Sequence, residues 1–72
     1  MIKAKPEKIK RLMKMSGMNM TQLADKLGVA RQSLYRILSG GAVGSTMISA
    51  FLLEFPEWKF EDFFYVENSK KI

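Results

Sequence analysis

Asn19–Gly40, NMTQLADKLGVARQSLYRILSG, decides how this chain folds. Asn19 is a strong helix N-cap, and Gln22 three residues on completes a capping-box-like pair. Met20, Leu23, Ala24 and Leu27 then recur at i, i+3, i+4 and i+7, one face of a helix. Gly28 ends that helix, because glycine accepts the positive φ a tight turn requires. Ala24 is small where a following helix must approach, and Val29 is placed to plug the corner. A second helix follows over about 30–38. At ~100° per residue its Leu34 and Ile37 point one way. Arg31, Gln32, Tyr35, Arg36 and Ser39 share an arc of roughly 140° on the other side. One side of this helix packs on a core; the other offers two guanidinium groups, an amide and a phenol. Gly40 and Gly41 stop it.

The flanks read as further helices. Pro6 suits the first turn of a helix over about 6–16, with Ile9, Leu12 and Met13 inward and Gly17 as the stop. Met1 to Lys5 reads as a loose basic arm. Gly40 to Gly44 reads as a flexible, uncharged loop. Ser45 is a candidate cap for a fourth helix whose apolar face is Ile48, Phe51, Leu52 and Phe55, ended by Pro56. A short fifth helix is expected from Lys59 to about Tyr65, with Phe60, Phe63 and Phe64 inward and Glu61 and Asp62 at its positive end. Tyr65 and Val66 can instead extend as a strand. The domain is therefore expected over 6–66, with a frayed tail over 67–72. The expected class is all-α: five helices around Ile9, Leu12, Leu23, Leu27, Val29, Leu34, Ile37, Ile48, Leu52 and Phe63.

Composition narrows the chemistry. With 72 residues there is room for one small domain. There is no cysteine and no histidine, which excludes disulfides, the usual zinc sites and histidine acid–base catalysis. No cofactor, metal or enzymatic activity is expected. No apolar run is long enough to span a bilayer and no signal-peptide pattern is present, so the expected location is cytoplasmic. Charge is divided along the chain. Residues 1–44 carry nine basic and two acidic side chains; residues 45–72 carry three basic and five acidic ones. A basic half with an acidic back suits a phosphate-binding module. A solvated lysine-rich surface is the plainer alternative.

The run Leu23-Ala24-Asp25-Lys26-Leu27-Gly28-Val29, then Ala30-Arg31-Gln32-Ser33-Leu34-Tyr35-Arg36-Ile37, then Gly40, resembles the Cro/CI-type (lambda-repressor-like, Xre) helix-turn-helix family. The resemblance covers about residues 6–65. It implies a transcriptional regulator that lays its third helix in the major groove of a double-stranded operator and binds as a homodimer. It is similar to small Cro-type and antirepressor-type regulators of temperate phages and related mobile elements, in a bacterial or phage-infected cell.

On that resemblance, Arg31, Gln32, Tyr35 and Arg36 are the candidate base-contacting residues. Arginine can bond guanine O6 and N7 together, and glutamine adenine N6 and N7. Tyr35 can equally lie flat beside its helix. Candidate backbone contacts are Asn19, Thr21, Lys3, Lys5, Lys8, Ser39, Gly41 and Ser45. Ser39 and Ser45 also have helix-end roles that need no DNA. Two departures from the family stand out. Met20 sits where Gln often braces a phosphate and a recognition-helix side chain, and the Gly40–Gly44 loop has no charged or amide side chain. They motivate a second reading, an antirepressor whose helix-turn-helix face binds and inactivates a phage repressor. The methionines read as core filler. The surplus of Phe51, Phe55, Trp58, Phe60, Phe63 and Phe64 over so small a core points to a dimer patch around Phe55, Trp58 and Phe64.

Overall fold

Pro6 occupies the first turn of α1 (Pro6–Ser16), and Gly17 closes it in the left-handed region at φ 66°. Both ends follow from the sequence: proline loses no helical bond there, and glycine has no Cβ to clash. The computed structural model describes residues 1–67, and five helices and two short strands lie within them. α2 (Met20–Leu27) begins on the expected capping box: the Asn19 side chain accepts from the Gln22 amide at 2.8 Å, and the Asn19 amide donates to Gln22 Oε1 at 2.9 Å. Gly28 ends α2 at φ 71°. α3 (Arg31–Leu38) follows, with Ala30 at its N-cap. Leu23, Ala24, Leu27, Leu34 and Ile37 are all buried, so both helices keep the faces that their spacing predicts.

The N-terminal segment is not a loose arm. Ile2–Ala4 forms β1, antiparallel to β2 (Phe64–Val66), with Ile2 opposite Val66, Lys3 opposite Tyr65 and Ala4 opposite Phe64. Alternation explains it. Ala4 and Phe64 are buried as a facing pair, while Lys3 and Tyr65 share the opposite face of the ribbon. Lys5 donates its amide to the Phe63 carbonyl at 2.6 Å, and Glu67 donates to the Met1 carbonyl at 2.7 Å. Glu67 is therefore tied down rather than frayed; the rest of the expected tail lies outside the described residues. The class is mostly helical with a two-stranded ribbon, not purely all-α.

The Gly40–Gly44 loop is anchored too. Ala42 bridges to Lys3, Val43 is buried, and the Val43 amide donates to the Ile2 carbonyl at 2.8 Å. α4 (Ser45–Glu54) starts with Ser45 as its first helical residue and Gly44 as its N-cap, so Ser45 is not the cap. Its buried line is Met47 and Phe51, continued by Phe55 just past its end, while Ile48 and Leu52 are half-buried. The expected face is thus turned by roughly 50°, half a residue step. Val29 is half-buried as well, packed against the core.

α5 is shorter than expected, Phe60–Phe63. The Asp62 carboxylate accepts from the Lys59 amide at 2.8 Å and starts it. Phe64 then leaves the helix, because two consecutive aromatics both have to reach the core. Phe63 and Phe64 are each at most 1% exposed. The aromatic surplus is consumed here. Phe51 lies 5.0 Å from Phe63 and 5.4 Å from Phe64, and Trp58 stacks on Phe63 at 5.1 Å. Phe55 and Phe64 are buried and Trp58 half-buried, so the dimer patch expected around them is interior packing. Of the methionines, Met47 is core, whereas Met1 and Met15 are exposed.

Candidate nucleic-acid interface

α3 divides as its spacing requires. Leu34 and Ile37 are buried on one side, and Arg31, Gln32, Tyr35 and Arg36 are exposed on the other. Tyr35 is 52% exposed, so about half of its side chain is accessible to a ligand. No side chain caps the start of α3, which leaves its first amides directed outward beside Arg31 and Gln32. Such a helix start favours an anion. Thr21, Ala24 and Asp25 of α2 line an open cleft with Val29, Ala30, Arg31 and Gln32. Across it, Arg31 Nη1 donates to Thr21 Oγ1 at 3.0 Å. Sequence reasoning gave both residues DNA roles but missed this bond. Its only signal would have been the ten-residue spacing across the turn.

The expected backbone contacts divide into two sets. Lys3 Nζ donates to the Gly40 carbonyl at 2.6 Å and pairs with Glu67 at 3.3 Å. Lys5 Nζ donates to the Glu61 carbonyl at 2.7 Å. Ser39 Oγ donates its one proton to the Tyr35 carbonyl at 2.8 Å, and the Gly41 amide donates to the Arg36 carbonyl at 2.8 Å. These four have internal partners. Asn19 spends its side-chain oxygen on the Gln22 amide but keeps its amide nitrogen as a donor. Lys8 and Ser45 are exposed and make no side-chain bond among the described residues.

Gly41 also shapes the end of α3. A Cβ there would lie 2.8 Å from both the Cγ and the carbonyl oxygen of Arg36. The backbone has to shift to admit it. Gly41→Ala is expected to lower stability by about 1–3 kcal/mol, as overpacking does, and to displace Arg36. Urea denaturation checks the first effect, and an unchanged midpoint would show that the turn absorbs the methyl group.

Among the described residues no cluster of acidic side chains could hold a metal ion, and no helix is long and apolar enough to cross a membrane. No curated protein and no solved structure matches the chain. A family model described as helix-turn-helix matches residues 9–54, from the core of α1 to the end of α4. With that match over α2, Gly28 and an α3 that exposes its basic side, the chain belongs to the Cro/CI-type helix-turn-helix family, a family of DNA-binding regulatory domains.

Proposed function

We propose that this protein is a sequence-specific transcriptional regulator of the Cro-like kind found in phages and mobile elements. It lays α3 in the major groove of an operator, with Arg31, Gln32, Tyr35 and Arg36 toward the base edges. The observation that carries this reading is the division of α3: four DNA-competent side chains exposed opposite buried Leu34 and Ile37. The Asn19 side-chain amide nitrogen, the Thr21 hydroxyl proton, Lys8 and Ser45 supply the backbone contacts. An eight-residue α3 is only about 12 Å long, enough for one half-site. Two copies on a pseudo-palindromic site supply the remaining affinity through effective concentration.

Selection from a random duplex library gives the operator against which variants are compared. Arg31→Ala or Gln32→Ala is expected to cost about 1–3 kcal/mol and to relax preference at particular base pairs. Lys8→Ala should instead weaken all sequences alike and flatten the salt dependence. If Arg31→Ala left the base preference intact, α3 would not be the reader.

One observation favours the second reading, an antirepressor that docks the same face on a phage repressor. The loop after α3 carries no charge, and its Gly41 and Val43 amides are already bonded within the fold. It has little to offer a phosphate. Its small Ala42 and Gly44 line a groove with Ser33 and Arg36 that another backbone can approach closely.

A further inference from the structure

We propose that Thr21 is the residue that positions Arg31 for base readout, acting as a neutral latch across the helix-turn-helix. The proposal rests on the DNA-reading role given to Arg31 above. Arg31 is the first residue of α3, a position where the helix dipole repels a cation. Its guanidinium is therefore biased away from its own helix start. The Thr21 hydroxyl on α2 receives it there, with Nη1 at 3.0 Å. Among the described residues no other side chain bonds the Arg31 guanidinium. Asn19 and Gln22 are committed to each other in the capping box. Asp25 lines the same cleft but makes no ion pair with Arg31.

The chemistry of the acceptor matters. A carboxylate would orient Arg31 but neutralise it. A hydroxyl orients it and leaves the positive charge for DNA. The bond uses one of five guanidinium N–H groups, so the Nη2–Nε edge stays free for a bidentate contact to guanine O6 and N7. Fixing a long side chain before binding lowers the ordering cost of the complex. It also restricts which base pair the side chain can reach. Arg36 has no such brace: its guanidinium makes no hydrogen bond or ion pair among the described residues.

Two measurements on the intact protein test the latch, using Thr21→Val, which keeps shape and loses the hydroxyl, and Thr21→Ser, which keeps the hydroxyl. The first is NMR relaxation at Arg31 Nε in the DNA-free protein. Thr21→Val should raise Arg31 side-chain mobility toward that of Arg36, and Thr21→Ser should leave it near wild type. The second is affinity for the selected operator and for duplexes with single base-pair changes. Thr21→Val should lower discrimination about tenfold at the base pairs whose readout Arg31→Ala removes, with discrimination through Arg36 retained. Thr21→Ser should restore it, and Thr21→Val combined with Arg31→Ala should discriminate no worse than Arg31→Ala alone. Unchanged Arg31 mobility in Thr21→Val, or full discrimination while Arg31→Ala loses it, overturns the latch and leaves the DNA-reading proposal standing. If Arg31→Ala itself keeps full discrimination, the reading of Arg31 fails, and the role given to Thr21 falls with it.

Discussion

Phe51→Ala is expected to destabilise the domain by about 3–5 kcal/mol, the range for deleting a buried aromatic. Phe51 is fully buried, and its ring meets Phe55, Phe63 and Phe64. It therefore holds α4, α5 and β2 together. A domain of this size has a total stability on the order of 5–10 kcal/mol. From a total near the lower end of that range, such a loss leaves only about 0–2 kcal/mol, and a substantial fraction would be unfolded at 37 °C. Leu53, two residues along the same helix, is 79% exposed, so Leu53→Ala should change stability by no more than about 0.5 kcal/mol. Urea denaturation of both variants measures the contrast. Equal effects would mean that α4 packs in another register.

That register is where the sequence was hardest to read. α4 carries Met47, Ile48, Ala50, Phe51, Leu52 and Leu53, so apolar residues point in nearly every direction. Spacing cannot choose a face when all faces are apolar. The choice is made by distant partners: Phe63 and Phe64 arrive from the C-terminal part and draw in Phe51. By contrast, the Asn19–Gln22 box, the turn at Gly28 and the inward Leu34 and Ile37 are set within a few residues. Local chemistry suffices for them, and they stand where their spacing places them.

The same distinction runs through the candidate site. The exposed set on α3 is a matter of helical arithmetic. The fate of Lys3 is not. In sequence it is one of several N-terminal lysines, and nothing local marks it. Only the pairing of β1 with β2, over sixty residues away, brings it to Glu67 and the Gly40 carbonyl. Three residues of alternation, Ile2-Lys3-Ala4, are too short to announce a strand. Likewise, the surplus of six large aromatics points to a surface patch around Phe55, Trp58 and Phe64 only because composition does not show their mutual packing. Tyr35 and Arg36 needed no long-range partner to be placed, whereas the Arg31–Thr21 bond depends on the angle at which two helices meet.

Charge reversal on α3 should have the largest functional effect. Arg31→Glu combined with Arg36→Glu is expected to lower operator affinity on the order of 10³-fold or more. Each lost arginine contact to a base is worth about 1–3 kcal/mol, and ~1.4 kcal/mol is tenfold. The new carboxylates add repulsion from the phosphates, so the salt dependence should also flatten. Both side chains are exposed, and Leu34 and Ile37 beneath them are untouched, so the fold should survive. Circular dichroism and thermal melting check that point. The double reversal also separates the two readings of this face. An antirepressor would use the same guanidinium groups against carboxylates of a repressor. The variant would then lose its complex with a co-expressed phage repressor, and reversal of the facing acidic residues would restore it. If operator binding collapses while every protein complex persists, α3 serves DNA and the antirepressor reading fails for this surface. If operator binding survives the reversal of both arginines, the DNA-reading role of α3 is wrong.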